Sequence, residues 1–251
     1  MKHHLTIITG ASRGLGLALA AQRLTPGATV LCISRRVSDE LARQAHASGA
    51  NLEQWAMDLA DGAAAASALS TWLQAKVHSP WLSATLINNA GVIPALGPLR
   101  DAQSADLANA LRVGLEAPML LSAAFLGTTR NWKIPRKVLN ISSGLGRRAM
   151  ASSAAYCAAK AGMDHFTRSM ALDEAGAKNG ALVCSLAPGV IDTDMQVQLR
   201  GADESLFPDL ATFKGLHSKG QLSSASETAA KVLAYLARPD FGTLPVADIR
   251  D

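Results

Sequence analysis

Short apolar runs punctuate the chain at residues 5–9, 28–33, 52–56, 84–87, 137–141, 181–186 and 244–249, mostly without polar alternation. A strand with one wet face alternates, whereas one covered on both faces does not, so these runs predict strands buried between two layers. Between them lie Ala- and Leu-rich stretches at residues 15–24, 63–77, 105–126, 154–174 and 225–236, each long enough for a helix. Strand-helix alternation of this kind predicts an α/β protein, doubly wound, with a central, mostly parallel seven-stranded sheet. No repeat or low-complexity linker divides the chain, so residues 1–251 are expected to form a single domain. Residues 192–224 read as one long irregular connection carrying Gly201, Pro208, Gly215 and Gly220. A connection of that length inside a compact domain commonly covers a ligand, and it is expected to act as a lid.

Composition sharpens this picture in three places. Hydrophobic residues make up 49% of the chain but aromatics only 4%, so the interior must be built from Ala, Leu, Val and Ile. The net charge is +4, yet apart from Arg35-Arg36, Arg136-Lys137 and Arg147-Arg148 the basic residues are scattered, which argues against a nucleic-acid face. Cys32, Cys157 and Cys184 are odd in number, widely spaced and without a metal-ligand pattern, so a reduced cytoplasmic setting and no metal are expected. The first apolar run is five residues long and no segment reaches ~18 apolar residues, so neither a signal peptide nor a membrane span is expected. His3 and His4 are expected to face solvent.

The first strand runs directly into Thr9-Gly10-Ala11-Ser12-Arg13-Gly14-Leu15-Gly16 and then into a helix. Glycines there permit a tight turn and close backbone approach, so a pyrophosphate can rest on the helix N-terminus, and the segment predicts dinucleotide binding. A site for NAD would end the second strand with an acid that holds the ribose 2′-hydroxyl. This chain has Ser34-Arg35-Arg36 instead, and an arginine there can grip a 2′-phosphate, with Arg13 reaching it from the glycine loop. NADP(H) is the expected cofactor. Asp58-Leu59 after the third strand would stand near the adenine, and Asn88-Asn89-Ala90-Gly91 after the fourth would turn beside the cofactor.

Tyr156 and Lys160 are four residues apart, just over one helical turn, so phenol and ammonium project from one helix face. A free phenol titrates near pH ~10 and is a poor acid at neutrality. An ammonium ~4 Å away is worth about 4 kcal/mol at an effective dielectric of ~20, and the expectation is that this attraction outweighs desolvation and lowers the phenol's pKa. Ser143 lies thirteen residues upstream of Tyr156, in Asn-Ile-Ser-Ser-Gly.

With these motifs in order the sequence resembles the short-chain dehydrogenase/reductase family over essentially its full length. The resemblance rests on the segments Thr9 to Gly16 and Asn88 to Gly91, on Ser143, on Tyr156-Cys157-Ala158-Ala159-Lys160, and on Pro188-Gly189-Val190 through Thr193. It implies a Rossmann fold. It also implies that Ser143 polarises a substrate carbonyl, Tyr156 donates the proton and Lys160 holds the nicotinamide ribose, with Thr193 on the carboxamide. Within the family the chain most resembles sepiapterin reductase and bacterial reductases of benzil and other 1,2-diketones. The residues behind this are the segment Ala187 to Gln196, Lys219-Gly220-Gln221-Leu222 and the C-terminal Val246 to Asp251. That likeness makes Asp248 a candidate substrate anchor, with Leu145 and Met195 as further substrate contacts.

One position departs from the family pattern. Where an asparagine usually stands, with its main-chain carbonyl holding a water that relays protons to the lysine, this chain has Gly114. Pro118 has no N–H, and in a regular helix that donor would have paired with the Gly114 carbonyl, so the carbonyl stays free to accept a water. The expectation is that the relay survives. The sequence therefore predicts an NADPH-dependent carbonyl reductase acting on a ketone, with a 1,2-dicarbonyl or sepiapterin-like substrate. Two alternatives stay open, an NADP(H)-binding sensor or structural protein without catalysis and an enzyme oxidising a secondary alcohol. Apolar residues on more than one face of the helices at 105–126 and 154–174 are compatible with a homodimer.

Overall fold

The computed structural model describes residues 3–251. Its strands are β1 (His3–Thr9), β2 (Thr29–Ser34), β3 (Asn51–Ala56), β4 (Trp81–Asn88), β5 (Arg136–Ile141), β6 (Leu182–Ala187) and β7 (Val246–Asp248). They form one sheet in the order β3-β2-β1-β4-β5-β6-β7, and every pairing is parallel. The absence of polar alternation now has its physical cause. Leu5 and Ile7 of β1, Leu31 and Ile33 of β2 and Leu86 of β4 enter one core, while Ile8, Val30, Cys32 and Ile87 enter the other. Side chains of a strand point to opposite faces in turn, so a sheet with two covers needs apolar residues at both.

The first cover is made by α1 (Gly14–Arg23), α2 (Asp39–Ser48) and α9 (Ala225–Ala237). The second is made by α3 (Gly62–Ala75), α5 (Ala117–Thr129) and part of α6 (Ala154–Ala175). Helix α2 has no counterpart in the sequence expectation because it is mostly polar and buries only Leu41 and Ala45. Its local signals are nonetheless complete. Ser38 caps the Leu41 N–H at 3.3 Å, and Gly49 ends the helix at φ 68.

Four other expectations need correction. Residues 105–126 are not one regular helix: α4 (Ser104–Leu111) and α5 flank a π turn, Arg112–Glu116, in which the Ala117 N–H reaches back to the Arg112 carbonyl. Pro118 cannot donate the bond a regular helix would require, and a wider turn absorbs the missing donor. The continuous helical run Ser104–Thr129 has a mean hydropathy of 1.3 over its most apolar window and is long enough to cross a membrane, but it packs as a core helix. A Cβ at Gly62 of α3 would lie 3.0 Å from Ala117 Cα. Residues 192–224 are not irregular either. They hold α7 (Asp194–Arg200) and α8 (Leu210–Ser218), which enclose a small core of Met150, Leu199, Phe207, Leu210 and Phe213. The ends of this lid are closed at its base, where Ile191 bridges Ser223 and the Asp192 N–H donates to the Ser223 carbonyl at 2.9 Å. The last strand is three residues long rather than six. Finally, His4 is exposed, but His3 is half-buried with its ring bonded to the Gly27 carbonyl.

Close packing of α1 against the end of β1 depends on one glycine. A Cβ at Gly16 would lie 2.2 Å from the Gly10 carbonyl oxygen and 2.4 Å from Asn89 Nδ2. Gly16→Ala is therefore expected to cost about 1–3 kcal/mol or more through forced backbone movement. At roughly 2–4 °C per kcal/mol for a domain of this size, thermal unfolding should show the loss plainly. Gly97→Ala, whose Cβ would meet nothing within 4 Å, should leave the melting temperature unchanged.

Candidate active site

A wholly parallel sheet sends the carboxyl ends of all its strands to one edge, and the sequence-predicted motifs gather there. Gly10 and Gly14 take φ values of 68 and 54, which only glycine adopts without strain, and the Gly10 N–H donates to the Ile33 carbonyl of β2 at 2.8 Å. Thr9 Oγ1 accepts the N–H groups of Asn89 and Ala90 at 2.9 and 3.0 Å. Asn89 Nδ2 in return donates to the carbonyls of Thr9 and Gly10 at 3.0 and 3.3 Å. The two loops are thus sewn together, and Gly91 comes close enough to α6 that a Cβ there would lie 3.7 Å from Lys160 Nζ. Helix α1 starts with no side-chain cap and no acid in its first turn, so its N–H groups and positive dipole end are left for an anion. Leu15 is buried beneath it, and Ser12 is half-buried in the loop.

At the end of β2 the Ser34 hydroxyl donates to the Arg36 carbonyl at 2.9 Å, a turn that leaves Arg35 and Arg36 exposed. Asp58 Oδ1 accepts the Ala60 N–H at 2.9 Å and Leu59 is buried beside it. Gly189, at φ 82, turns the chain after β6 and Pro188, and the Val190 carbonyl accepts the Ser223 N–H at 3.0 Å. Thr193 then stands just before α7, making no side-chain cap bond, with its methyl against the glycine loop, 3.4 Å from where a Gly14 Cβ would stand. Arg13 of that loop donates to Asp194 Oδ2 at 2.8 Å, with both side chains about two-thirds exposed. An exposed pair of this kind holds weakly, so Arg13 is free to change partners.

Ser143 follows β5 directly and caps a 3₁₀ turn, Gly144–Gly146, by accepting the Leu145 N–H at 3.2 Å. Its hydroxyl proton therefore stays available to a second acceptor. Tyr156 and Lys160 lie one turn apart on α6, both buried, with Lys160 Nζ 5.7 Å from the phenol ring centroid. The lysine ammonium donates to the Ile141 carbonyl at 2.7 Å. The phenol Oη meets Met195 Sδ of α7 at 3.9 Å, so the lid places an apolar side chain on it. Leu145 packs at the edge of the lid core.

The electrostatics correct one expectation. Burial pushes the Tyr156 phenol up to about 12, opposed by the Ser143 side chain, rather than lowering it. Burial likewise drops Lys160 to about 8, opposed by Asp164. The ammonium is committed to the Ile141 carbonyl and stands 5.7 Å from the phenol ring centroid, and among the protein's own groups desolvation wins. Asp248 differs too. Its carboxylate is buried and already paired, receiving Arg250 through two bonds of 2.7 Å and standing 3.7 Å from Arg147 Nη1. Arg250's bonds hold its carboxyl below the ordinary range, against burial. Any substrate anchored by Asp248 would have to displace an arginine.

The model of the short chain dehydrogenase family matches residues 4–204. The chain belongs to that family. A Bacillus cereus benzil reductase that forms (S)-benzoin is 34% identical over 235 residues, covering 94% of this chain and 94% of its own. Sepiapterin reductase of Rattus norvegicus is 30% identical over 258 residues, covering 98% and 95%. Among solved structures, a candidate 2-deoxy-d-gluconate 3-dehydrogenase from Agrobacterium tumefaciens with bound NADP superposes with a TM-score of 0.79 at 25% identity, covering 98% of this chain and 94% of that one. The seven-stranded parallel sheet and the strand-end motifs are thus those of a short-chain dehydrogenase, an oxidoreductase fold.

Asn88 entered the sequence reading only as part of a turn, and the buried residues it bonds escaped. Asn88 Nδ2 reaches Ser122 Oγ at 3.0 Å and Asn140 Oδ1 at 2.8 Å, and Asn140 Nδ2 donates to Thr167 Oγ1 at 2.8 Å. This buried ladder ties β4, β5, α5 and α6 at the level of the site. Asp164 and Arg147 are the others, and Asp164 at four residues past Lys160 could have been found as a carboxylate on the inward helix face. Gly114 also has a second reason to be glycine. It sits in the π turn, buried, and a Cβ there would lie 3.1 Å from Ala159 Cβ on α6. Gly114→Asn should thus lower stability by about 1–3 kcal/mol through overpacking, while changing the reduction rate less than about tenfold. Ala159→Gly in the same chain should restore the melting temperature. A hundredfold gain in rate would show instead that the native relay is broken.

Proposed function

We propose that the protein is an NADPH-dependent carbonyl reductase acting on a ketone, with a 1,2-dicarbonyl or sepiapterin-like compound as substrate. The observation that carries this is the buried Tyr156 phenol under Met195, flanked by a Ser143 hydroxyl with a proton to give and by the Lys160 ammonium. The phenol keeps its proton at neutral pH, as delivery of a proton to a carbonyl oxygen requires. Oxidation of an alcohol would need it as a base. The complete Ser143, Tyr156 and Lys160 set speaks against a sensor without catalysis.

The residues fit a dinucleotide. A Cβ at Gly10 would lie 2.9 Å from the Ala90 backbone, the α1 N-terminus is uncapped, and no carboxylate ends β2. Gly10, Ser12, Gly14, Leu15 and Gly16 would hold the pyrophosphate, with Arg13, Arg35 and Arg36 on a 2′-phosphate. Asp58 and Leu59 would border the adenine, Asn89, Ala90 and Gly91 would turn beside the cofactor, and Lys160, Pro188 to Val190 and Thr193 would border the nicotinamide side. Bound NADPH supplies the hydride. Ser143 orients the carbonyl by hydrogen bonding to its oxygen, Tyr156 delivers the proton to that oxygen, and Lys160 holds the ribose and provides positive charge behind the phenol. Met195 on the phenol, with Leu145, Ile93 and Leu96 partly buried against the neighbouring lid core, supplies apolar surface near the phenol that supports an aryl or pterin substrate. The likeness to a benzil reductase and to sepiapterin reductase supports the same substrate class. Exposed Leu111, Met119 and Leu172 on α4, α5 and α6 support a homodimer, and three free cysteines support a reduced cytoplasmic setting.

Loss of NADPH absorbance should follow addition of benzil or sepiapterin; tight NADPH binding with no turnover of any carbonyl would refute the reductase. Tyr156→Phe is expected to lower kcat by about 10²–10⁴ while fluorescence titration finds NADPH affinity within about threefold of wild type. Arg35→Ala should weaken NADPH by roughly tenfold and leave NADH nearly untouched, since only NADPH carries the 2′-phosphate to which the arginine makes a charge-assisted hydrogen bond.

A further inference from the structure

Asp164 is a carboxylate 1% exposed, one helical turn beyond Lys160 on α6, and no step of the proposed reaction uses it. Burying an unpaired charge is costly, so what surrounds it is informative. Ser185 of β6 donates to its Oδ1 at 2.7 Å and Arg147 Nε stands 3.4 Å from its Oδ2. Arg147 belongs to the segment that begins at Ser143. The same guanidinium donates to the Ala247 carbonyl at 2.7 Å and faces Asp248 of β7. Gly146 is pressed so closely onto α6 that a Cβ there would lie 2.8 Å from Asp164 Oδ2 and 2.9 Å from the Lys160 carbonyl oxygen.

We propose that Asp164 is a positioning residue for the catalytic centre: through Arg147 it fixes the serine-bearing turn on α6, and as a buried carboxylate one helical turn from Lys160 it sets the charge environment of that lysine. Around this pair stand Cys184 of β6, whose thiol is pushed up mainly by burial, Tyr235 of α9 beyond it at 3.9 Å from Cys184 Sγ, and Asp248 with Arg250. Arg112 and Glu116 of the π turn, which also packs on α6, are exposed. Asp164 is thus the one carboxylate among these that raises Lys160 against its burial.

Opposite signs test the idea. Asp164→Asn keeps the shape but removes the charge, so Lys160 should lose its proton at lower pH, and the alkaline limb of kcat should move down by half a pH unit or more. Arg147→Gln leaves the carboxylate unopposed and should move that limb up, while Arg147→Lys should return it to the wild-type position. NADPH KM should change less than threefold in each. The assay rests on the proposed reaction, so a second readout does without it: denaturant stability of each chain against the same chain carrying Lys160→Met. A lysine held below its unfolded pKa binds fewer protons folded than unfolded, so its contribution to stability rises with pH between about 8 and 10.5. That rise should begin at lower pH in Asp164→Asn and at higher pH in Arg147→Gln. Activity lost in both variants with unmoved limbs and unmoved stability profiles would overturn the proposal, as would shifts of the same sign. Arg147 is one-third exposed, so its variants remain readable if Asp164→Asn does not fold.

Discussion

A lysine ammonium buried beside a phenol is the constraint around which this end of the molecule is arranged. Lys160 is 4% exposed and would shed its proton but for what the fold puts next to it. The Ile141 carbonyl accepts from it at the end of β5, and Asp164 stands one turn along α6. Asp164 is itself too deep to be left alone, so it takes Ser185 from β6 and Arg147 from the serine segment. Arg147 in turn draws in the Ala247 carbonyl and Asp248, and Arg250 closes the chain of charges. Buried pairs of this kind add little net stability, but removing one member strands the other, so each fixes where its neighbour's backbone must lie.

The sheet supplies the frame that makes such a chain possible. Parallel pairing brings Ile141, Ala187 and Asp248 to one edge, with Ile141 opposite Leu186 and Ala187 opposite Asp248. Antiparallel strands would have scattered those ends. The lid completes the enclosure from the same edge: its base is bridged at Ile191 and Ser223, and the capping box of Ser224 and Glu227 starts α9 directly afterwards. What lies between is held by its own small aromatic and aliphatic core rather than by the main sheet. Phe207 and Phe213 pack with ring centroids 5.5 Å apart inside it.

Most of the fold was legible because strands covered on both faces read as unbroken apolar runs, and that signal needs no partner to be recognised. The strand-end motifs were legible for the same reason, since each depends on local backbone demands at Gly10, Gly14 and Gly189. What escaped was whatever depends on a neighbour. Helix α2 buries two residues, too few for a hydrophobic period to stand out. The lid looked irregular because Gly201, Pro208, Gly215 and Gly220 interrupt it, yet the first two fall between α7 and α8 and the last follows α8. Gly114 was read through its carbonyl, whereas its missing side chain also answers to Ala159 on another helix. The pairing of Asp248 escaped because a sequence does not show that Arg147, a hundred residues away, arrives at its side.

The phenol's high pKa also bears on how the proposed chemistry divides its labour. With burial holding Tyr156 near 12, the proton is safe until an acceptor appears whose basicity exceeds the phenol's own. A ketone oxygen does not qualify at rest, but one gaining negative charge does, so proton delivery would be tied to the moment of reduction. Met195 on the phenol and the apolar lid around Leu145 keep out the water that would otherwise compete for that proton. Lys160 then has two duties that pull apart, to stay charged behind the phenol and to remain dry. On the proposal made above, the Asp164 carboxylate reconciles them, since it favours the ammonium against burial from one helical turn along α6 and is itself dry.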